Sequence, residues 1–117
     1  MKHKADGLLD GDGLLLCLGA LANPQRLRIL AALANGRAYV SELARAVGLS
    51  RPLLQMHLRK LEAAGLVSSQ MELSEDGKAM NFYALTPFRL VLDPERVSVA
   101  AATLEGAAPQ AVTRRSG

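Results

Sequence analysis

Residues 49–67 read LSRPLLQMHLRKLEAAGLV, and this stretch decides the fold. Ser50 is a good helix N-cap, and Pro52 is tolerated in the first turn because an N–H there would lack an intrahelical partner. The leucines recur at helical spacing and predict one buried stripe, formed by Leu54, Leu58 and Leu61. Gly65 marks the end of the helix. We therefore predict an amphipathic helix over 51–64 with its polar face left outward.

The residues just before this helix indicate a helix-turn-helix. Ser41 can cap a short helix over 42–47, preceded by a two-residue strand at Tyr39-Val40. Gly48 supplies a left-handed turn, and Leu49 fills the gap between the two helices. Small Ala44 suits the point where they cross. After the helix, two strand-like runs at 66–73 and 80–86 flank the turn signal Asp76-Gly77 and predict a β-hairpin.

Three further helices complete the predicted domain. Asn23-Pro24 and Asp93-Pro94 each combine a cap with a helix-starting proline. The predicted apolar side of the second helix consists of Leu27, Leu30, Ala31 and Ala34. The first and last helices are more apolar than one buried face requires, with Leu14, Leu15, Leu18 and Leu21 in the first and Val97, Ala100, Ala101 and Leu104 in the last. We predict a mainly α winged helix-turn-helix over 13–105, dimerised through its first and last helices, between flexible tails at 1–12 and 106–117.

Charge and cysteine content narrow the function classes. The 117 residues carry a formal charge of +3, and the segment 37–60 holds five cationic side chains against one carboxylate. Such a patch suits a polyanion, although solvated arginines on an ordinary helix look similar. A single cysteine excludes an internal disulfide and a Cys-based zinc site within one chain. Without an apolar membrane span or a recognisable signal peptide, we expect a cytoplasmic protein that makes no membrane contact.

The outward face of the 51–64 helix has the composition of a DNA-reading surface. Its residues are Arg51, Pro52, Gln55, Met56 and Arg59, with Lys60 beside them. Glutamine suits adenine edges, and arginine suits guanine or phosphate, so double-stranded DNA is the expected partner. Two alternatives stay open: Met56 packs in the interior, or the whole fold is a protein–protein module acting as the partner subunit of a regulator. No nucleophile–base pair or phosphate-binding glycine loop indicates an enzyme.

The sequence also resembles a known family. The runs LGALANPQRLRILAALANG, SELARAVGLS, MHLRKLEAAGLV and DGKAMNFYALT, within residues 14–86, are similar to the ArsR/SmtB transcriptional regulators. The resemblance implies a homodimeric repressor that binds an inverted-repeat operator. It places Arg51, Pro52, Gln55 and Met56 toward the bases, and Lys78 on the wing near the DNA backbone. Many members of that family release DNA when a metal binds.

The ligands of the familiar metal sites are missing from this chain. The third helix reads YVSELA without a cysteine pair, and the last helix lacks the His and acidic ligands. We expect no metal cofactor; a weak candidate is Ni(II) or Cu(II) at Met1-Lys2-His3. His57 is interpreted as a helix-packing or phosphate-contacting residue rather than a metal ligand. Regulation would then come from a protein co-regulator, a small-molecule effector at the dimer interface, or oxidation of Cys17, which otherwise is an inert residue of the core or the interface.

Overall fold

The computed structural model describes residues 9–104. Along the chain the elements are α1 (Gly11–Leu21), α2 (Pro24–Leu33), β1 (Ala38–Tyr39), α3 (Val40–Val47), α4 (Arg51–Ala63), β2 (Val67–Leu73), β3 (Ala79–Leu85) and α5 (Pro94–Ala101). The strands form one antiparallel sheet in the order β1-β3-β2. Helices α3 and α4 form the helix-turn-helix, and the β2–β3 hairpin is the wing. The predicted mainly α winged helix-turn-helix is confirmed.

The core forms where the leucine face of α4 meets α2, α3 and the base of the sheet. Leu54, Leu58 and Leu61 are fully buried, as their spacing predicted. They lie in one cluster with Ile29 of α2 and Leu43 of α3. Burial of each such side chain contributes about 1.5–3 kcal/mol, so this face fixes the rotation of α4 about its own axis.

The bend before α4 also follows the sequence prediction. Gly48 ends α3 in the left-handed conformation, with φ +71°. Ala44 is buried, and its carbonyl accepts hydrogen bonds from the backbone N–H groups of Gly48 and Leu49. Leu49 and Val47 pack against the core. The short, tight connection therefore holds α3 and α4 in a fixed relation.

Several predicted boundaries were wrong by one or two residues. α1 begins at Gly11, before the predicted domain start at 13, because the Asp10 carboxylate accepts a hydrogen bond from the Gly13 N–H (2.8 Å). α3 begins at Val40 rather than after Ser41, and β1 ends one residue earlier than expected, at Tyr39. The Tyr39 N–H donates to the Glu42 carboxylate (3.2 Å), which draws the preceding residues into the helix start. The predicted tail at 106–117, and most of that at 1–12, lies outside the described residues.

The predicted apolar side of α2 was right at Leu30, which is buried, and wrong at its other three residues. Leu27, Ala31 and Ala34 are exposed. The face that packs inward instead carries Arg26, Ile29, Leu30 and Leu33. An arginine can occupy this face because backbone carbonyls at the end of α1 accept hydrogen bonds from its guanidinium.

Helix α5 packs against α1 and leaves an apolar surface outside the pair. The Gly11 N–H donates to Thr103 Oγ1 (2.7 Å), and a Cβ at Gly11 would lie 2.5 Å from the Ala100 carbonyl oxygen. We call the outward surface of the two helices the α1–α5 face. Its exposed apolar side chains are Leu15, Leu16, Val97 and Val99. Leu14, expected on this surface, is buried, as is Ala100.

Candidate nucleic-acid interface

The residues predicted to contact DNA lie on the outer face of α4. Ser50 caps the helix, its hydroxyl oxygen accepting from the Leu53 N–H (3.3 Å). Gln55 is half-buried, whereas the other predicted residues of this helix are exposed: Arg51, Pro52, Met56, Arg59 and Lys60. Met56 is therefore not a core residue of the described chain. Because the leucine stripe points the other way, this polar face is held rigidly outward.

A cleft between the start of α4 and the wing gathers three of these residues. Arg51 and Gln55 line it from α4, and Lys78 lines it from the wing, next to Met71 and Asn81. The other predicted residues lie outside the lining of the cleft: Pro52, Met56, Arg59 and Lys60. The structure thus brings Lys78 and Arg51, which are distant in the sequence, to the same cleft.

The wing turn that carries Lys78 is organised by local hydrogen bonds. The Ser74 hydroxyl accepts from the Lys78 N–H (3.0 Å) and donates to the Asp76 carboxylate. The hydrogen bond from Ser74 is the main cause that lowers the pKa of Asp76 below its ordinary value. Asp76 and its neighbour Glu75 are exposed, so the tip of the wing carries carboxylates as well as the cationic Lys78.

The basic surface is smaller than the charge count over 37–60 indicated. Arg37 pairs with Glu72 across the wing, with Nη1–Oε2 2.6 Å apart, and its guanidinium lies 4.0 Å from the ring centroid of Phe82. A hydrogen bond from Arg37 lowers the pKa of Glu72 below its ordinary value. Within residues 9–104, ion pairs are absent from Arg51, Arg59, Lys60 and Lys78. These four side chains, rather than Arg37, supply the positive charge of the interface.

His57 lies on α4 but points away from the polar face. It is buried, and its Nδ1 is 3.1 Å from Nη1 of Arg26. The helix-packing interpretation is confirmed, and a phosphate contact is excluded by the burial. This contact was not predicted from the sequence. The signal was present, because Arg26 shares a helical face with Ile29, Leu30 and Leu33.

The described residues 9–104 contain no metal-binding cluster, and Cys17 is buried. Within residues 9–104, no three His, Cys, Asp or Glu side chains form a group that could hold a metal, and His3 lies outside that range. The Cys17 thiol donates to the Ala64 carbonyl (Sγ–O 3.5 Å), and burial raises its pKa. It lines an apolar cavity of about 40 Å³ with Leu9, Phe88 and Leu90. None of the helices in this part of the chain is long and apolar enough to cross a bilayer.

Comparison with known proteins agrees with this geometry. The model of the arsR family of bacterial regulatory proteins matches residues 23–69, which span α2, α3 and α4. An uncharacterized HTH-type transcriptional regulator of Methanocaldococcus jannaschii is 42% identical over 76 residues, 65% of this chain and 79% of that protein. Nodulation protein NolR of Rhizobium meliloti is 47% identical over 55 residues, 47% of this chain and 45% of that protein.

Two solved structures share the fold. The homodimeric winged helix-turn-helix DNA-binding domain of a possible ArsR-family regulator from Mycobacterium bovis has a TM-score of 0.57 and 31% identity, covering 63% of this chain and 64% of that one. NolR of Sinorhizobium fredii has a TM-score of 0.56 and 31% identity, covering 78% and 80%. The Methanocaldococcus jannaschii and Mycobacterium bovis relatives are described as transcriptional regulators. The chain therefore belongs to the arsR family of transcriptional regulators, and it is a DNA-binding winged helix-turn-helix protein.

Proposed function

We propose that this regulator is a homodimeric repressor that inserts α4 of each protomer into the major groove at an inverted-repeat operator. The observation that carries the proposal is the arrangement of α4. Its leucine face is fully buried, while Arg51 and Gln55 lie in one cleft with Lys78 of the wing. A rigid helix with a polar outer face beside a hairpin that carries Lys78 matches the two surfaces that a winged helix-turn-helix offers to DNA.

The proposed contacts divide the exposed residues into two groups. Near the start of α4, Arg51 and Gln55 read base edges, since arginine pairs with guanine and glutamine with adenine in the major groove. Pro52 and Met56, exposed beside them, make apolar contacts to the bases. The lysines and the remaining arginine, namely Arg59, Lys60 and Lys78, contact phosphates and supply affinity without sequence preference.

The dimer forms through the α1–α5 face. Leu15 and Leu16 of α1 and Val97 and Val99 of α5 are all exposed in the single chain. A two-fold axis beside this face would cover Leu15 and Leu16 in both protomers; Val97 and Val99, two residues apart on one helix, point to different sides and cannot both be covered. The Mycobacterium bovis domain of the same fold is homodimeric, which supports this arrangement. A two-fold dimer that carries one α4 per protomer binds half-sites about 34–36 Å apart.

A protein–protein module with the same fold is the second candidate. It would use the same exposed surface but would not need cationic side chains at the start of α4 and on the wing. Arg51 and Lys78 in one cleft therefore favour DNA. We also propose that DNA binding needs no metal cofactor, that any effector acts through another route, such as a protein partner or a small molecule, and that the protein works in the cytoplasm.

Selection of binding sites from random DNA duplexes tests the proposed function. The wild-type protein should enrich a two-fold symmetric sequence with half-sites about 10 base pairs apart. Enrichment of no sequence, at salt concentrations where the protein still binds DNA, would contradict specific readout by α4. Enrichment of a single half-site would contradict the dimeric arrangement alone.

A further inference from the structure

A buried cation links the end of α1 to the recognition helix. The Arg26 guanidinium donates from Nε to the Ala20 carbonyl (2.7 Å) and from Nη2 to the Gly19 carbonyl (3.3 Å). Its Nη1 lies 3.1 Å from Nδ1 of His57. The carbonyls at the end of a helix carry partial negative charge, so the last turn of α1 offsets the cost of burying this arginine without a carboxylate.

The contact fixes the protonation state of His57. A guanidinium has donors and no acceptor, so Nδ1 of His57 must accept the hydrogen bond from Nη1. The imidazole is therefore neutral and carries its proton on Nε2. Burial, and then the charge of Arg26, lower the pKa of His57 below its ordinary 6.5.

The surroundings of His57 leave Arg26 as the charged group that controls it. Helices α1, α2 and α3 and strand β2 pack against α4. Arg26 is the charged side chain that shifts the pKa of His57. Four other charged side chains of these elements are exposed, namely Asp12, Arg28, Glu42 and Arg45, and Glu72 pairs with Arg37 on the wing. The charged side chains of α4 itself are exposed as well: Arg51, Arg59, Lys60 and Glu62.

We propose that Arg26 and His57 are a positioning pair that sets the orientation of α4 relative to α1, and that DNA binding weakens when His57 takes up a proton. Protonation replaces the acceptor at Nδ1 with a second donor and places two cations side by side. The hydrogen bond from Arg26 to His57, which connects α4 to the end of α1, is then lost. Because α1 carries the proposed dimer face, that link sets how the two α4 helices are presented, so this inference rests on the proposed function.

The lowered pKa of His57 determines how the free energy of unfolding changes with pH. Between the ordinary value of 6.5 and the lower value in the folded protein, the unfolded chain binds the proton more readily. The free energy of unfolding therefore falls as the pH drops below about 6.5. If the DNA-bound state requires neutral His57 more strictly than the free protein, DNA affinity falls over the same range.

The first measurement compares wild type with His57→Gln, whose side-chain oxygen can accept from Arg26 at any pH. Both proteins are titrated with the selected operator between about pH 7.5 and 5. Wild-type affinity should fall about tenfold or more, because protonated His57 no longer accepts from Arg26, while that of His57→Gln changes by less than about threefold. A variant that keeps the wild-type pH profile, or a wild-type affinity that does not fall, would overturn the proposal.

The second measurement needs no DNA. The chain has two histidines, so NMR titration of the imidazole signals, with His57→Gln for assignment, reports the pKa of His57 directly. In Arg26→Gln the pKa of His57 should rise, because the cation beside it is gone. In Arg28→Gln, which removes an exposed arginine from the same helix, it should stay unchanged. If the pKa of His57 is equal in Arg26→Gln and Arg28→Gln, the pairing of Arg26 with His57 is contradicted, whether or not the protein binds its operator. If Arg26→Gln does not fold, the pH profile of DNA binding by His57→Gln decides.

Discussion

Replacing Leu15 and Leu16 together by serine should separate the dimer without unfolding the protomer. The two side chains are 57% and 54% exposed in the single chain, so each has about half its area to bury against a partner. Full burial of a leucine is worth about 1.5–3 kcal/mol, and burying the exposed half contributes about 1 kcal/mol. A two-fold dimer contains each residue twice, so the double variant loses about 4 kcal/mol of association free energy. The dissociation constant should rise by about a thousandfold.

Sedimentation equilibrium over a range of protein concentrations measures this constant. Leu27→Ser is the matched control, because Leu27 is 53% exposed but lies on α2 outside the α1–α5 face. It should leave the dissociation constant within about threefold of wild type, a difference below 1 kcal/mol. A double variant with the wild-type dissociation constant would refute dimerisation through this face. An equal rise of the dissociation constant in both variants would show that the loss of any exposed leucine weakens association, whether or not it lies on this face.

The other predictions concern the charge of the wing and the role of metals. Lys78→Ala should reduce the magnitude of the slope of log affinity against log salt by about 0.9, the value for one lost phosphate contact. Arg37→Ala should leave the slope unchanged, because Glu72 already compensates its charge. An unchanged slope in Lys78→Ala would contradict its phosphate contact, and a reduced slope in Arg37→Ala would show that Arg37 contacts DNA. Stoichiometric Zn(II) should change operator affinity by less than about tenfold, since structural zinc sites need about four ligands and residues 9–104 offer no cluster of three. A larger change with Zn(II) would overturn the metal-free account, and one seen only with Ni(II) or Cu(II) and abolished by His3→Ala would place a sensor at the N-terminus.

The helix-turn-helix could be predicted from the sequence because its signals are local. The Ser50 cap, the left-handed Gly48 and the spacing of the α4 leucines all lie within a few residues of the features they determine. The outer face of α4 follows at once, since a buried stripe on one side leaves the other side exposed. Most of the candidate interface could therefore be predicted from the sequence alone.

What the sequence did not show depends on partners that are distant along the chain. Arg26 is buried because carbonyls of α1 and Nδ1 of His57 meet its guanidinium, and none of these follows from the pattern of α2. The charge count over 37–60 included Arg37, whose partner Glu72 becomes visible only once the wing is folded. Both arginines thus have structural partners, and of the two only Arg37 had been counted toward the basic segment.

The most direct test of DNA reading by α4 is the affinity of the combined variant Arg51→Ala/Gln55→Ala for the selected operator. Each lost base contact should cost about 1–3 kcal/mol, so the affinity should fall at least about thirtyfold while binding to unrelated DNA falls much less. Arg28→Ala, which removes an exposed arginine from α2, should bind the operator within about threefold of wild type. Wild-type operator affinity in the combined variant would contradict the assignment of α4 as the recognition helix.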